Sequence, residues 1–405
     1  MSALRKDLVD GRLALVSMAL VFAGLLSIYS ATYDAGLSSI AVRQMLYAAA
    51  GLLALVVAAA LPSRVLQAAS FPAYVLSIAL LILVLLIGKA VSGSQSWFNF
   101  GPFRLQPSEF AKIATAMMLS SYLSRSEVNL QNMRALGVAG GIVLLPVALI
   151  LLQPDAGTAF IYLGMFFPVL FWGNASRATL LALVAPAAAA LAALFGPTPF
   201  FIVVILVGAG VYVTKQNRIL AAAVFSLTVL VGISVQFIYD GLKPYQQKRI
   251  DTFLNPEADP RGAGYNVLQS KVAIGSGGFL GKGYLKGTQT QLNFIPEQWT
   301  DFIFCVPGEE FGFVGAATVL LLFAALLVRG VQIASMVKNS YASFLAVAIT
   351  GVFGTHVVIN VGMALGLLPV IGVPLPFLSY GGSALVANMT MVGILLNLYA
   401  NRKEY

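Results

Sequence analysis

The chain has 405 residues, 59% of them hydrophobic and only 10% charged, with a mean hydropathy of +0.89. Apolar runs near the ~20 residues needed to cross a hydrocarbon core recur along it, which excludes a soluble enzyme and marks an all-α, polytopic membrane protein. One cysteine, Cys305, excludes an intramolecular disulfide, one histidine, His356, leaves no Cys/His metal cluster, and the +9 charge is dispersed between apolar runs; that spread fits loop orientation and anionic lipid, not nucleic acid.

In chain order the runs predict twelve spans, at about 12–31, 44–62, 71–89, 108–124, 136–153, 157–173, 178–196, 199–214, 218–238, 302–328, 341–367 and 377–400. The first is long and is followed by equivalent runs, so it reads as a retained span and not a cleaved leader. LQPSEFAKI at 105–113 opens the fourth, where Glu109 and Lys112 lie three apart and share a helix face. An ionised group at mid-bilayer costs ~2.5–3.5 kcal/mol on insertion scales, so the two either pair structurally or face a polar cavity. QPDAG at 153–157 puts Asp155 in a tight turn, where a helix cap is the local reading. The seventh and eighth spans are interrupted by Gly196 and Pro197.

Sidedness follows from the basic residues. With the N-terminus inside, thirteen Lys and Arg (Arg5, Lys6, Arg12, Arg64, Arg125, Arg134, Arg177, Lys215, Arg218, Arg329, Lys338, Arg402 and Lys403) fall in cytoplasmic segments, against Arg43, Lys89 and Arg104 outside. The segment 239–301 holds seven more, but long loops escape the charge rule. It is therefore expected on the extracytoplasmic face, with both chain ends cytoplasmic.

About sixty residues is more than a connector needs, and the apolar Phe253, Leu254, Tyr265, Val267, Leu268, Phe279 and Phe294 are anchors that a solvated linker would lack. VLQSKVAIG reads as a short amphipathic helix at the membrane surface. DPRG at 259–262 matches a type I turn. On local pattern Asp259 is either the turn initiator or a carboxylate presented to substrate, with Pro260 biasing its backbone and Gly262 and Gly264 clearing an approach. GSGGFLGKG at 275–283 fails the phosphate-loop pattern and reads as a flexible hinge, with Lys282 and Lys286 available to headgroups or a diphosphate.

FIFCVPGEEFGFVG at 302–315 enters the tenth span. Adjacent helical residues point ~100° apart, so only one of Glu309 and Glu310 can belong to a small cavity. His356 and Asn360, four apart, are either cavity wall or satisfied core. The Pro- and Gly-rich run LLPVIGVPLPFLSYGGSALVANM at 367–389, including Ser379, requires irregular backbone at membrane depth, which is tolerated only against protein or a wet cavity. A cavity beneath the long loop follows.

The set QPSEFAK, QPDAGTA, KPYQQKRIDTFLNPEADPRGAGYNVLQSKVAIGSGGFLGKG, GTQTQLNFIPEQWTDFIF, GEEFGFVG and GMALGLLPVIGVPLPFLSYGGS resembles the SEDS family (shape, elongation, division and sporulation), in order from about Gly93 to the C-terminus. SKVAIGSGGFLGKG with GTQTQLNF resembles its RodA branch. The resemblance implies a peptidoglycan glycosyltransferase of the bacterial inner membrane that polymerises lipid II, an undecaprenyl-diphosphate disaccharide, beside a class B penicillin-binding protein and other elongation proteins. It implies Asp259 as general base, Arg249 as the basic position upstream of it, Glu109 with Lys112 as the charged pair of the fourth span and Asp155 as the acid of the QPD turn; Lys271, Lys282 and Lys286, by their charge, and Glu310 and Ser379 are further candidate substrate contacts. No resident cofactor is implied, and a substrate-bound divalent cation is compatible. The chain is read as one membrane domain, 1–405, with a catalytic loop at 239–301. Three departures stand out: a surplus pair of spans at 174–215 beyond the family's usual ten, Ser96 where relatives often have a basic residue, and Trp299 where they often have His. The competing classes are a lipid II flippase, with Glu109, Lys112, Asp155 and Glu310 lining its pathway, and a membrane scaffold.

Overall fold

The structure is a computed structural model and describes residues 10–34, 36–91, 94–100, 103–213, 218–242, 244–255, 263–292, 294–296 and 298–402. The elements are α1 (Gly11–Tyr33), α2 (Ser38–Ala60), α3 (Ser63–Ile87), β1 (Lys89–Val91), β2 (Ser94–Phe100), β3 (Phe103–Leu105), α4 (Pro107–Leu123), α5 (Met133–Leu152), α6 (Ala156–Trp172), α7 (Arg177–Leu194), α8 (Pro197–Val213) and α9 (Arg218–Asp240). The long loop follows with α10 (Pro244–Leu254), α11 (Ala263–Ser276) and α12 (Thr288–Gln291), and the chain closes with α13 (Cys305–Glu310), α14 (Gly312–Met336), α15 (Ser340–Ala364) and α16 (Gly382–Ala400).

Polar residues between the apolar runs start the helices. Asp10, Asn132, Asp155, Ser176 and Asn339 each accept a backbone N–H from the first turn of α1, α5, α6, α7 and α15, satisfying donors that lipid could not. Among the described residues eight helices (α1, α2, α3, α5, α7, α14, α15 and α16) are long and apolar enough to cross a membrane, while Ala156–Trp172, Pro197–Val213 and Ala221–Val235 are shorter apolar helices. The remaining expected span, the fourth, is α4, whose buried Glu109 and Lys112 dilute its hydropathy.

The core sits around α15 and α16: 67% and 72% of their most apolar stretches are buried, against 22% for α2 and α14, which turn mostly outward. Glycines let these central helices come close. A Cβ on Gly393 would lie 2.4 Å from Leu55 O of α2, and one on Gly24 of α1 would lie 2.2 Å from Phe377 O. Asp10 and Arg329 form an ion pair, with Arg329 also over the Tyr399 ring. This joins the start of α1 to the far ends of α14 and α16. At the opposite end of α1, Ser30 and Ala31 meet Glu310, Gln291 and Gln298. The long loop therefore lies across the bundle from residue 10.

One element was unanticipated and three expectations need correction. The stretch after α3 is a three-stranded antiparallel sheet, order β1-β2-β3, pairing Phe98 with Leu105 and Asn99 with Arg104; the aromatic residues of SQSWFNF favour strand although it lacks a strict polar/apolar alternation. The predicted span 302–328 is two helices, because Gly312 adopts φ +62 and breaks the run after the buried α13. The last span begins at Gly382, since Pro369, Pro374 and Pro376 in the run ahead of it have no N–H to give to a helical ladder. GSGGFLGKG is no hinge. Phe313 N and Val314 N at the start of α14 donate to Gly278 O and Phe279 O, while Lys282 N and Gly283 N donate to Glu309 O and Glu310 O. The two glycine-rich segments lock backbone to backbone.

Candidate active site

The irregular run between α15 and α16, residues 365–381, is held by side chains from several elements. Gln44 of α2 donates to Ser379 O and accepts from Gly381 N. Asn360 Nδ2 of α15 donates to Val373 O and Asp301 O, both at 2.8 Å. Ser379 Oγ donates to Thr300 O at 2.6 Å and accepts from Leu375 N, and Tyr380 N donates to Trp299 O. Backbone groups that a helix would have satisfied are thus met from outside, as they must be at this depth.

Beneath this run lies a buried polar cluster. Lys112 Nζ is 2.7 Å from Glu109 Oε2 and 3.1 Å from His356 Nε2, and all three residues are at most 3% exposed. His356 Nδ1 is 3.0 Å from Pro374 O. Asp155 caps α6 through Thr158 and accepts from Gln106 Nε2 at 3.1 Å, while Gln106 N donates to Ser383 Oγ. Gln106, Glu109, Lys112 and Asp155 are therefore one connected region, drawn from the two Gln-Pro motifs. Tyr162 OH donates to Ser108 O at its edge.

On the loop side, Glu309 is fully buried. Its carboxylate accepts from Lys282 Nζ at 2.7 Å, Gln289 N at 2.8 Å, Thr290 N at 2.9 Å and Thr290 Oγ1 at 2.7 Å. Burial pushes this carboxyl upward, but Lys282 and the donors of Gln289 and Thr290 outweigh it and hold it below the usual carboxylate value. Glu310 accepts from Ser30 Oγ, Leu285 N and Gln291 Nε2. Burial raises Glu310 above the usual value in spite of those donors, and the neighbouring Glu309 charge adds to the rise.

The expected site residues fall into separate places. Asp259 lies outside the described residues, and Arg249 lies on α10 with its side chain likewise outside them. Lys271 on α11 reaches over Gly366, where a Cβ would lie 2.7 Å from its Nζ, placing an ammonium by the C-terminal end of α15. Lys286 is exposed, whereas Lys282 already faces the Glu309 carboxylate. Ser379 and Glu310 are committed to internal bonds. Ser96 is buried in the sheet against Ser94, which donates to Gln153 O. Sequence reasoning weighed Glu309 only as a rival of Glu310 for one cavity, and passed over Gln44, Ser30 and the bond from His356 to Lys112. The available signal was polarity inside apolar helices, which is costly and therefore rarely idle.

A helical bundle of membrane-spanning length with broken backbone under a long loop, stitched by buried charges, defines a polytopic membrane protein built around a polar site at one end of the bundle. The model of the FtsW/RodA/SpoVE family, cell cycle protein, matches residues 11–207 and 197–404. This chain belongs to that family. Peptidoglycan glycosyltransferase MrdB of Escherichia coli (strain K12) is 35% identical over 398 residues, covering 98% of this chain and 94% of the relative. Peptidoglycan glycosyltransferase RodA of Treponema pallidum (strain Nichols) is 39% identical over 357 residues, covering 80% and 81%. A solved chain described as showing structural coordination of polymerization and crosslinking by a peptidoglycan synthase complex superposes with TM-score 0.75 at 29% identity, covering 98% of this chain and 99% of that one.

Proposed function

We propose that this chain is a peptidoglycan glycosyltransferase that polymerises lipid II during cell-wall elongation. The observation that carries this reading is similarity to MrdB along nearly the whole chain, with the motifs quoted above in order and Trp299 the one departure noted in the loop. The protein works in the bacterial inner membrane with its loop extracytoplasmic and both ends cytoplasmic, as the distribution of Lys and Arg favours. Its partner is a class B penicillin-binding protein, in company with other elongation proteins. Residues 174–215 are an added helix pair in this reading, which rests on the count of spans along the sequence.

In this mechanism Asp259 takes the proton of the acceptor's GlcNAc 4-hydroxyl as that oxygen attacks the donor's anomeric carbon. The configuration inverts and undecaprenyl diphosphate departs. An ordinary Asp, pKa ~3.9, is far too weak to ionise a sugar hydroxyl beforehand, so proton removal accompanies bond formation. Arg249 is the first cation for the diphosphate, followed by Lys271 and Lys286; Lys282 ranks last because Glu309 already takes its charge. No resident cofactor is invoked.

The test is to incubate the purified protein with its cognate penicillin-binding protein, transpeptidase disabled, and lipid II. Resolved glycan ladders support the enzyme. Lipid transfer between leaflets without polymer supports a flippase, and neither activity supports a scaffold.

A further inference from the structure

His356 is the chain's one histidine, and both of its ring nitrogens are engaged by other elements. Nδ1 faces Pro374 O at 3.0 Å, and Nε2 faces Lys112 Nζ at 3.1 Å. A carbonyl oxygen only accepts and an ammonium only donates. The first contact therefore puts the ring hydrogen on Nδ1, and the second requires a lone pair on Nε2. Two independent partners demand the same neutral tautomer.

The bonds beyond the ring give that tautomer a consequence. One turn along the same face of α15, Asn360 holds Val373 O, so the helix grips two successive carbonyls of the irregular run. Asn360 also holds Asp301 O, and Ser379, which fixes Leu375 N, holds Thr300 O. Thr300 and Asp301 are the last residues of the long loop. A path of hydrogen bonds thus runs from the buried Glu109–Lys112 pair, through His356, to the residues on which the loop returns to the bundle.

We propose that His356 is a positioning residue for glycosyl transfer: as the Nδ1–H tautomer it accepts from Lys112, donates to Pro374 O, and sets the floor on which the loop rests. It touches no substrate in this role. The inference leans on the glycosyltransferase reading above for its activity arm only.

Because there is one histidine, nitrogen-15 NMR of histidine-labelled protein in nanodiscs reads this ring without assignment. The expected spectrum at neutral pH shows a protonated Nδ1 and an unprotonated Nε2; an Nε2–H ring or an imidazolium overturns the proposal. In the lipid II assay, His356→Leu is expected to lower kcat by about tenfold or more with KM within about twofold, as misplacement of a site does. His356→Gln, whose amide offers N–H to the carbonyl and oxygen to the ammonium, is expected to keep at least about half of kcat. Equal losses in the two variants, or a Leu variant as active as the parent, overturn it. The NMR measurement uses the unsubstituted protein, so a Leu variant that fails to fold leaves a deciding result. An unsubstituted protein inactive on lipid II would sink the glycosyltransferase reading while the tautomer stood or fell separately.

Discussion

Glu309 and Glu310 are adjacent in the chain, yet their carboxylates hold one loop at two places: Glu309 takes Lys282, Gln289 and Thr290, while Glu310 takes the Leu285 amide and Ser30 of α1. The ~100° between neighbouring helical side chains, which kept them from sharing one cavity, lets them clamp the loop from two directions.

Removing the first clamp should be costly. Glu309→Ala leaves the Lys282 ammonium and the amides of Gln289 and Thr290 without their acceptor, and is expected to destabilise by about 3 kcal/mol or more, seen in thermal unfolding in detergent. The carboxyl lies below its usual 4.5 in the folded protein. Its stabilisation is therefore present above that value and lost as pH falls through the lower native one. Protease resistance around 282–290 should survive mild acid and fail below it, and Glu309→Gln should abolish that dependence.

The interlocked glycines give a paired test. Gly281 has φ +81, and a Cβ there would lie 2.1 Å from Glu310 O. Gly281→Ala should cost about 2 kcal/mol or more from backbone strain and displacement of the clamp. Gly275, on α11, has nothing within 4 Å of such an atom. Gly275→Ala should leave the melting temperature unchanged or raise it, since alanine favours helix by up to about 1 kcal/mol.

The buried ion pair makes a third prediction. Lys112→Met strands the Glu109 carboxylate inside the bundle and should cost about 3–5 kcal/mol. Combining it with Glu109→Gln should recover more than half of that loss, and a double-mutant cycle by thermal unfolding measures the coupling.

Asp259→Asn should lower polymerisation about 10²- to 10⁴-fold, the usual worth of a positioned base, with an unchanged melting temperature. Glycan ladders resolved beside a melting curve check both halves. Full activity in a well-folded variant would remove Asp259 from the mechanism.

Much of this was legible beforehand, wherever the determining partners are near in sequence. The spacing of Glu109 and Lys112 allowed the pairing they make, Asp155 caps the helix that its turn announced, and the Pro-rich run is irregular as its composition requires. What escaped depends on partners far along the chain. Glycines in 275–283 read as freedom because their meaning lies in the carbonyls of Glu309 and Glu310, which pack against them. His356 meets Lys112 across 244 positions, and no local pattern carries that distance. The sheet after α3 was hidden because its strands are shorter than the apolar runs around it.

The broken run at 365–381 is moored to α2 by Gln44, to α15 by His356 and Asn360, and to the end of the loop by Thr300 and Trp299. A cycle in which one half of the bundle swings against the other would have to cut those moorings together. For the polymerisation proposed above the implication is mechanical: the elongating strand would slide past an anvil that keeps its place.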